Sequence, residues 1–183
     1  MSERSITGSL LILASFIGFV GVVLYAVNGY GSPRSSELFD MTRTVILTAA
    51  ITTALGLALL EGLLRDVGER VLSRLGSFGF ALAAALIVMA EATLIDDGVY
   101  FASLVRIYVT LAFLAQAAFG GALLRARLLS NWVAWATIAW NLVWLAFLLA
   151  IDLGGGPGYY PVLHYIMPLL IGIGLFRQGS RSI

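Results

Sequence analysis

The sequence predicts an all-α integral membrane protein, a bundle of six transmembrane helices with the N- and C-termini in the cytoplasm. Hydrophobic residues make up 60% of its 183 residues and charged residues only 11%. In a typical soluble domain about 45–50% of the residues are apolar and about 25% are charged. The mean hydropathy is +0.97. This composition excludes an ordinary soluble domain, a disordered chain and a nucleic-acid-binding module.

Six apolar runs, each about long enough to cross the hydrocarbon core as a helix, define a single domain over residues 1–183. The connections are short and contain helix breakers or charges, such as the Asp96-Asp97-Gly98 turn. No connection could hold a soluble domain, and no motif recurs between the two three-helix halves. The predicted spans are residues 7–27, 43–64, 72–95, 99–124, 131–150 and 160–177.

The placement of arginine predicts the orientation. With the N-terminus inside, eight Arg lie on the cytoplasmic side, whereas only Arg34 and Arg43 lie on the outer side. Cytoplasmic connections of membrane proteins carry an excess of basic residues. We therefore expect a multi-pass protein with both termini in the cytoplasm.

The residue types that are missing exclude several chemistries. The chain has no Cys, which excludes disulfide exchange and thiolate metal sites. It has no Lys, so a Schiff base of the retinal or aldolase type cannot form. A single histidine, His164, excludes a bis-His haem or a His-rich zinc site within one chain. The sequence therefore predicts no cofactor and no metal site.

Charged residues inside apolar runs mark the first part of the predicted site, because such residues are costly in lipid and usually face the bundle interior. Glu91 lies about one turn before the Asp96-Asp97-Gly98 turn, and Arg106 lies about two turns after it. Their helices are antiparallel neighbours, so we expect the two side chains to meet in the outer half. The pair is either an ion pair that fixes helix packing or the lining of a cavity.

His164 marks the second part of the predicted site, about one turn into the sixth predicted helix. Pro168 follows four residues later, and it has no N–H to donate to the His164 carbonyl. We expect the ring and the freed carbonyl to lie together at a kink, which is either packed in protein or lines a wet cavity. Tyr108 and Tyr165 lie in the same outer half, within reach of the expected charged pair.

The fifth predicted helix carries the third part of the site. Trp140 and Trp144 lie one helical turn apart near the midplane, beside Asn141. Asn141 is expected to make an interhelical hydrogen bond of about 1 kcal/mol. Alternatively, the two Trp rings form a wall against an apolar or flat ligand.

Two stretches resemble segments of small, uncharacterised polytopic membrane proteins of bacteria. The resemblance covers about a third of the chain, implies a multi-pass protein of the bacterial plasma membrane, and indicates no activity. The stretches are residues 120–125 (Gly-Gly-Ala-Leu-Leu-Arg), followed by Leu128, Leu129, Trp132 and Trp135, and residues 160–164 (Tyr-Pro-Val-Leu-His), followed by Pro168 to Gly172.

The favoured functional hypothesis is a non-enzymatic membrane protein that binds, or also transports, a small amphipathic or lipid-like ligand in a pocket open to the outer half. Arg106 and His164 would contact a polar or anionic head group, and Glu91 would orient Arg106. Trp140 and Trp144 would flank the apolar body of the ligand.

Two alternatives stay open. An intramembrane enzyme that modifies a lipid or isoprenoid would use Glu91 or His164 as its acid or base. The chain has no Asp-x-x-Asp motif for a metal-bound diphosphate, so the sequence favours a protein that is not an enzyme. A structural or regulatory subunit would form a homo-oligomer or bind a membrane partner through small residues of the first helix, Ala14, Gly18 and Gly21.

Overall fold

The computed structural model describes residues 2–28, 37–96, 101–150 and 163–180, and these residues form six helices, which confirms the all-helical class. The first five helices are 20 to 30 residues long and apolar enough to cross a membrane. The helices are α1 (Glu3–Asn28), α2 (Glu37–Asp66), α3 (Val71–Asp96), α4 (Phe101–Ala126), α5 (Asn131–Ala150) and α6 (Ile166–Ser180).

The sixth helix is shorter than the predicted span over residues 160–177. It has 15 residues, about 22 Å at 1.5 Å per residue, against a hydrocarbon core of about 30 Å. His164 and Tyr165 form a turn ahead of it, so the prediction that His164 lies inside a helix is wrong. Pro168 explains the late start, because proline fits the first turn of a helix and disrupts the interior. Residues 160–162 lie outside the described part of the chain.

The first five helices pack in chain order, and α6 packs mainly against α1. α1 lies between α2 and α6, α3 lies between α2 and α4, and α4 packs against α5. The apolar window of α4 is 56% buried, against 33% or less in the other four long helices. α4 is therefore the central helix, and its large side chains Tyr108, Phe113 and Phe119 are fully buried.

Glycines set the distance between helices at two crossings. A Cβ built on Gly8 of α1 would lie 2.7 Å from the carbonyl oxygen of Gly172 of α6. A Cβ built on Gly120 of α4 would lie 2.9 Å from the backbone nitrogen of Ile138 of α5. Both distances are too short for a real Cβ, so only glycine allows these backbones to approach. The second crossing also fixes the register of α4 against α5.

The connection between α2 and α3 is a helix-ending turn of the Schellman type. Gly68 adopts a positive φ of 92°. Its N–H donates to the Arg65 carbonyl at 3.0 Å, and the Glu69 N–H donates to the Leu64 carbonyl at 2.9 Å. This pattern ends a helix at a glycine in the left-handed region.

Glu69, two residues before α3, caps the first turn of that helix. Its carboxylate accepts the backbone N–H of Leu72 at 3.0 Å and that of Ser73 at 2.9 Å, which satisfies two of the free donors of the first turn. Burial alone would raise the pKa of Glu69, but these hydrogen bonds outweigh it and hold the pKa below its usual value.

Candidate functional site

Glu91 pairs with Arg43 of α2. The Arg43 Nε–H donates to Glu91 Oε2, and the side chains of the two residues are only 20% and 12% exposed. The Arg43 guanidinium also lies over the ring of Phe39, 4.5 Å from its centroid, which is a cation–π contact. The prediction that Glu91 pairs with Arg106 is therefore wrong. The observed ion pair joins α2 to α3.

Arg106 lies on the exposed side of α4. α4 turns Val105, Tyr108 and Val109 into the core, and each residue rotates about 100° around a helix. Arg106 therefore falls away from the buried face. The short connection correctly predicted that α3 and α4 are neighbours, but it does not determine the rotation of either helix about its axis.

His164 is fully buried between two aromatic rings of α4. Its ring centroid lies 5.5 Å from that of Tyr108 at an interplanar angle of 61°, and 4.2 Å from that of Phe113 at 48°. Edge-on and tilted arrangements of this kind are favourable between aromatic rings. The His164 side chain has 0% exposure, so it is a core residue at the start of α6.

The backbone before α6 is held by two side-chain donors from other helices. Gln116 of α4 donates from Nε2 to the His164 carbonyl at 2.9 Å, and Trp140 of α5 donates from Nε1 to the Leu163 carbonyl at 3.1 Å. Pro168 has no N–H to donate to the His164 carbonyl, and Gln116 is the donor observed there. Gln116 could not be assigned to this site from sequence, because nothing local connects it to a residue 48 positions away.

Four buried polar atoms in this region have no hydrogen-bond partner within the described ranges. In folded proteins such atoms are nearly always paired, and an unpaired one costs about 1–3 kcal/mol. We call the residues around them, His164, Tyr165, Tyr108, Gln116 and Asn141, the buried polar cluster. The four atoms are Nδ1 and Nε2 of His164, Oε1 of Gln116 and Oδ1 of Asn141.

Asn141 belongs to this cluster through the register of α4 and α5. Gly120 lies beside Ile138, and one turn further along each antiparallel helix Gln116 comes level with Asn141. Asn141 is fully buried, and its Nδ2 donates to the Thr137 carbonyl of its own helix at 2.7 Å. The amide nitrogen of Asn141 therefore does not make the interhelical hydrogen bond that the sequence predicted.

Tyr165 connects the cluster to α1. A Cβ built on Gly18 would lie 2.4 Å from Cδ2 of the Tyr165 ring, so the ring packs directly on this glycine. Tyr165 also interacts electrostatically with Tyr108. Tyr108 therefore contacts both His164 and Tyr165. The reach of the two tyrosines toward Glu91 stays a prediction.

The small face of α1 is used inside the chain. Tyr165 covers Gly18, the Ile46 side chain lies 3.0 Å from a Cβ built on Gly21, and Ala14 has 0% exposure. These contacts explain the small residues by internal packing, and contact with a partner through them stays a prediction.

An aromatic row follows α5 beside the cluster. The rings of Trp140 and Trp144 meet edge-on with centroids 5.7 Å apart, and Trp144 and Phe147 are also 5.7 Å apart. Both Trp side chains are partly exposed. The row runs from Trp140, which is hydrogen-bonded to the turn before α6, along one side of the helix.

Comparison with known proteins adds no family to this description. No protein-family model matches the chain, and no curated protein or solved structure matches it. Within residues 2–28, 37–96, 101–150 and 163–180, no group of three or more His, Asp or Glu is placed to hold a metal ion. The five long apolar helices indicate a membrane protein, and the geometry of the site is the basis for any functional proposal.

Proposed function

We propose that the protein binds a small amphipathic or lipid-like ligand whose polar end reaches the buried polar cluster. One observation carries the proposal. His164 is completely buried, and within the described structure neither of its ring nitrogens has a hydrogen-bond partner. A polar ligand end placed there would supply the missing partners and offset the cost of burying these atoms.

The aromatic row of α5 is a suitable surface for the apolar part of the ligand. Trp140 and Trp144 are partly exposed, and Trp140 is directly tied to the turn that carries His164. An apolar chain lying along these rings would have its polar end next to the cluster. Ligand sites in membrane proteins combine such apolar walls with a few polar groups.

The arginine distribution predicts the side of the membrane from which a ligand would enter. With both termini in the cytoplasm of a bacterial cell, the turn before α6 lies in the outer half of the plasma membrane. A ligand would then reach the cluster from that half, and transport would require a further movement past α4. In the enzyme alternative, Arg43 would be the charged neighbour of the candidate acid or base Glu91.

The test compares the molecules that co-purify with three proteins: the wild type, His164→Phe and the control Trp132→Phe. Phenylalanine keeps a ring between Tyr108 and Phe113 but removes both nitrogens, whereas Trp132 is 61% exposed and lies at the other end of α5. Untargeted lipid and metabolite mass spectrometry of the purified proteins should find a molecule that is enriched in the wild type and the control, and depleted in His164→Phe.

Circular dichroism and gel filtration check that each variant folds, and Asn141→Leu replaces His164→Phe if the larger ring disturbs the fold. Equal amounts of the same molecules in all folded variants would contradict the proposed function.

A further inference from the structure

The two amide side chains of the buried polar cluster have their orientation fixed by their partners. Gln116 faces the His164 carbonyl, and Asn141 faces the Thr137 carbonyl. A carbonyl oxygen can only accept a hydrogen bond, so the amide nitrogen must point at it in both cases. The free atoms, Oε1 of Gln116 and Oδ1 of Asn141, are therefore acceptors and cannot become donors by rotating the amide.

His164 adds one acceptor and one donor. No carboxylate lies within salt-bridge distance of its ring in the described part of the chain, since the ion pair found there joins Arg43 and Glu91. A charged imidazolium buried without a counter-charge is strongly disfavoured, so the ring is neutral and has one bare nitrogen and one N–H. The Tyr165 hydroxyl can act in either sense. The cluster thus presents at least three acceptors that need a donor.

We infer that the polar end of the ligand is an uncharged hydrogen-bond donor, and that the ligand is a hydroxyl-bearing amphiphile such as a long-chain alcohol or a lipid with a free hydroxyl. This inference rests on the proposed function and names its ligand class. A hydroxyl donates to an amide oxygen or to the bare His164 nitrogen, and its oxygen accepts the His164 N–H.

The other common head groups fit less well. A carboxylate or a phosphate brings only acceptors, which would face the oxygens of Gln116 and Asn141. An ammonium brings donors, but it would be buried without a counter-charge. The anionic head group considered from sequence depended on Arg106, and Arg106 lies on the exposed side of α4.

The test uses four probes with the same sixteen-carbon chain: 1-hexadecanol, its methyl ether, hexadecanoate and hexadecylamine. The full-length wild-type protein in detergent is titrated with each, and bound probe is counted by native mass spectrometry. The methyl ether keeps the oxygen acceptor and loses only the donor. We expect the alcohol to bind tightest and the ether to bind roughly 5- to 100-fold more weakly, because the acceptors stay unfilled.

The probes separate this inference from the proposed function. If the ether, the acid or the amine binds as tightly as the alcohol, the donor inference is wrong and the ligand-binding function stands. If none of the four probes binds the folded wild type, the proposed function itself is overturned.

Asn141→Leu and Thr137→Val form a matched pair of variants on one helix. Both side chains are fully buried. Leucine removes the free acceptor at similar size, whereas valine removes a hydroxyl that already donates to the Val133 carbonyl at 2.8 Å. We expect Asn141→Leu to weaken 1-hexadecanol binding by roughly 5- to 100-fold and to raise the melting temperature of the ligand-free protein.

Thr137→Val should leave binding of the alcohol unchanged. A structural role of Asn141 would produce a lower melting temperature in Asn141→Leu. A variant that melts earlier and still binds the alcohol like the wild type would overturn the inference.

Discussion

Two polar regions in the predicted outer half of the membrane differ in whether their polar side-chain atoms have partners. The Arg43–Glu91 pair between α2 and α3 has its charges matched, and both side chains keep some exposure, 20% and 12%. The buried polar cluster between α4, α5 and α6 has no exposure at His164 and four atoms without partners among the described residues. The chain itself satisfies the first region, whereas the second region has hydrogen-bonding capacity that the described residues leave unfilled.

The largest effect should come from breaking the ion pair. Arg43→Met or Glu91→Leu alone leaves one charge largely buried, and we expect each to lower the free energy of unfolding by about 3 kcal/mol, the low end for buried pairs because some exposure remains. The double variant should regain most of this loss. Equilibrium unfolding of the four proteins measures the coupling, and strictly additive losses would contradict the pairing.

The second-largest effect on stability should come from Gly18, on which the Tyr165 ring of the cluster packs. In Gly18→Ala the new methyl group overlaps the Tyr165 ring, so the ring must move, and we expect a loss of about 2 kcal/mol in unfolding free energy. Gly62→Ala is the control, since a Cβ built there meets nothing within 4 Å. The same unfolding experiment applies, and equal stability of the two variants would show that Tyr165 does not pack on Gly18.

A smaller effect is expected at the turn before α6. Trp140→Phe keeps an aromatic ring but leaves the Leu163 carbonyl without its donor, at a cost of about 1 kcal/mol. Trp135→Phe is the control on the same helix, because Trp135 is 58% exposed. Thermal unfolding of both variants should show the loss only in Trp140→Phe, and an equal shift in both would assign it to lost ring area.

The smallest effect lies at the opposite end of the bundle, at Glu69. Its pKa is lowered in the folded protein, so the ionised carboxylate stabilises the fold. This contribution is complete above the ordinary glutamate pKa, about 4.3, and is lost as the pH falls through the lower folded pKa.

Glu69→Gln should lower stability by about 0.5–1 kcal/mol at pH 7 and by less as the pH falls through that range. Unfolding measured from pH 7 down to pH 3 checks this trend. A difference that stays constant over the whole range would contradict the capping role of the carboxylate.

The sequence predicted the helical class, the five long helices and the freed carbonyl at His164, because run length and proline chemistry act locally. It did not predict which basic residue forms an ion pair with Glu91. That choice depends on the rotation of α3 toward α2, and rotation is set by packing around Arg43 and Phe39. Gln116 was missed for the same reason, since only the register of α4 brings it to the His164 carbonyl. Long-range register and rotation have no signal in a single sequence.

The most direct test of the account is an experimental density map of the protein purified with 1-hexadecanol, at a resolution that shows ordered small molecules. We expect density for the alcohol with its oxygen near His164 and the amide oxygens of Gln116 and Asn141, and no such density beside Arg43 and Glu91. A cluster whose side chains close on one another, with no molecule between them, would contradict it.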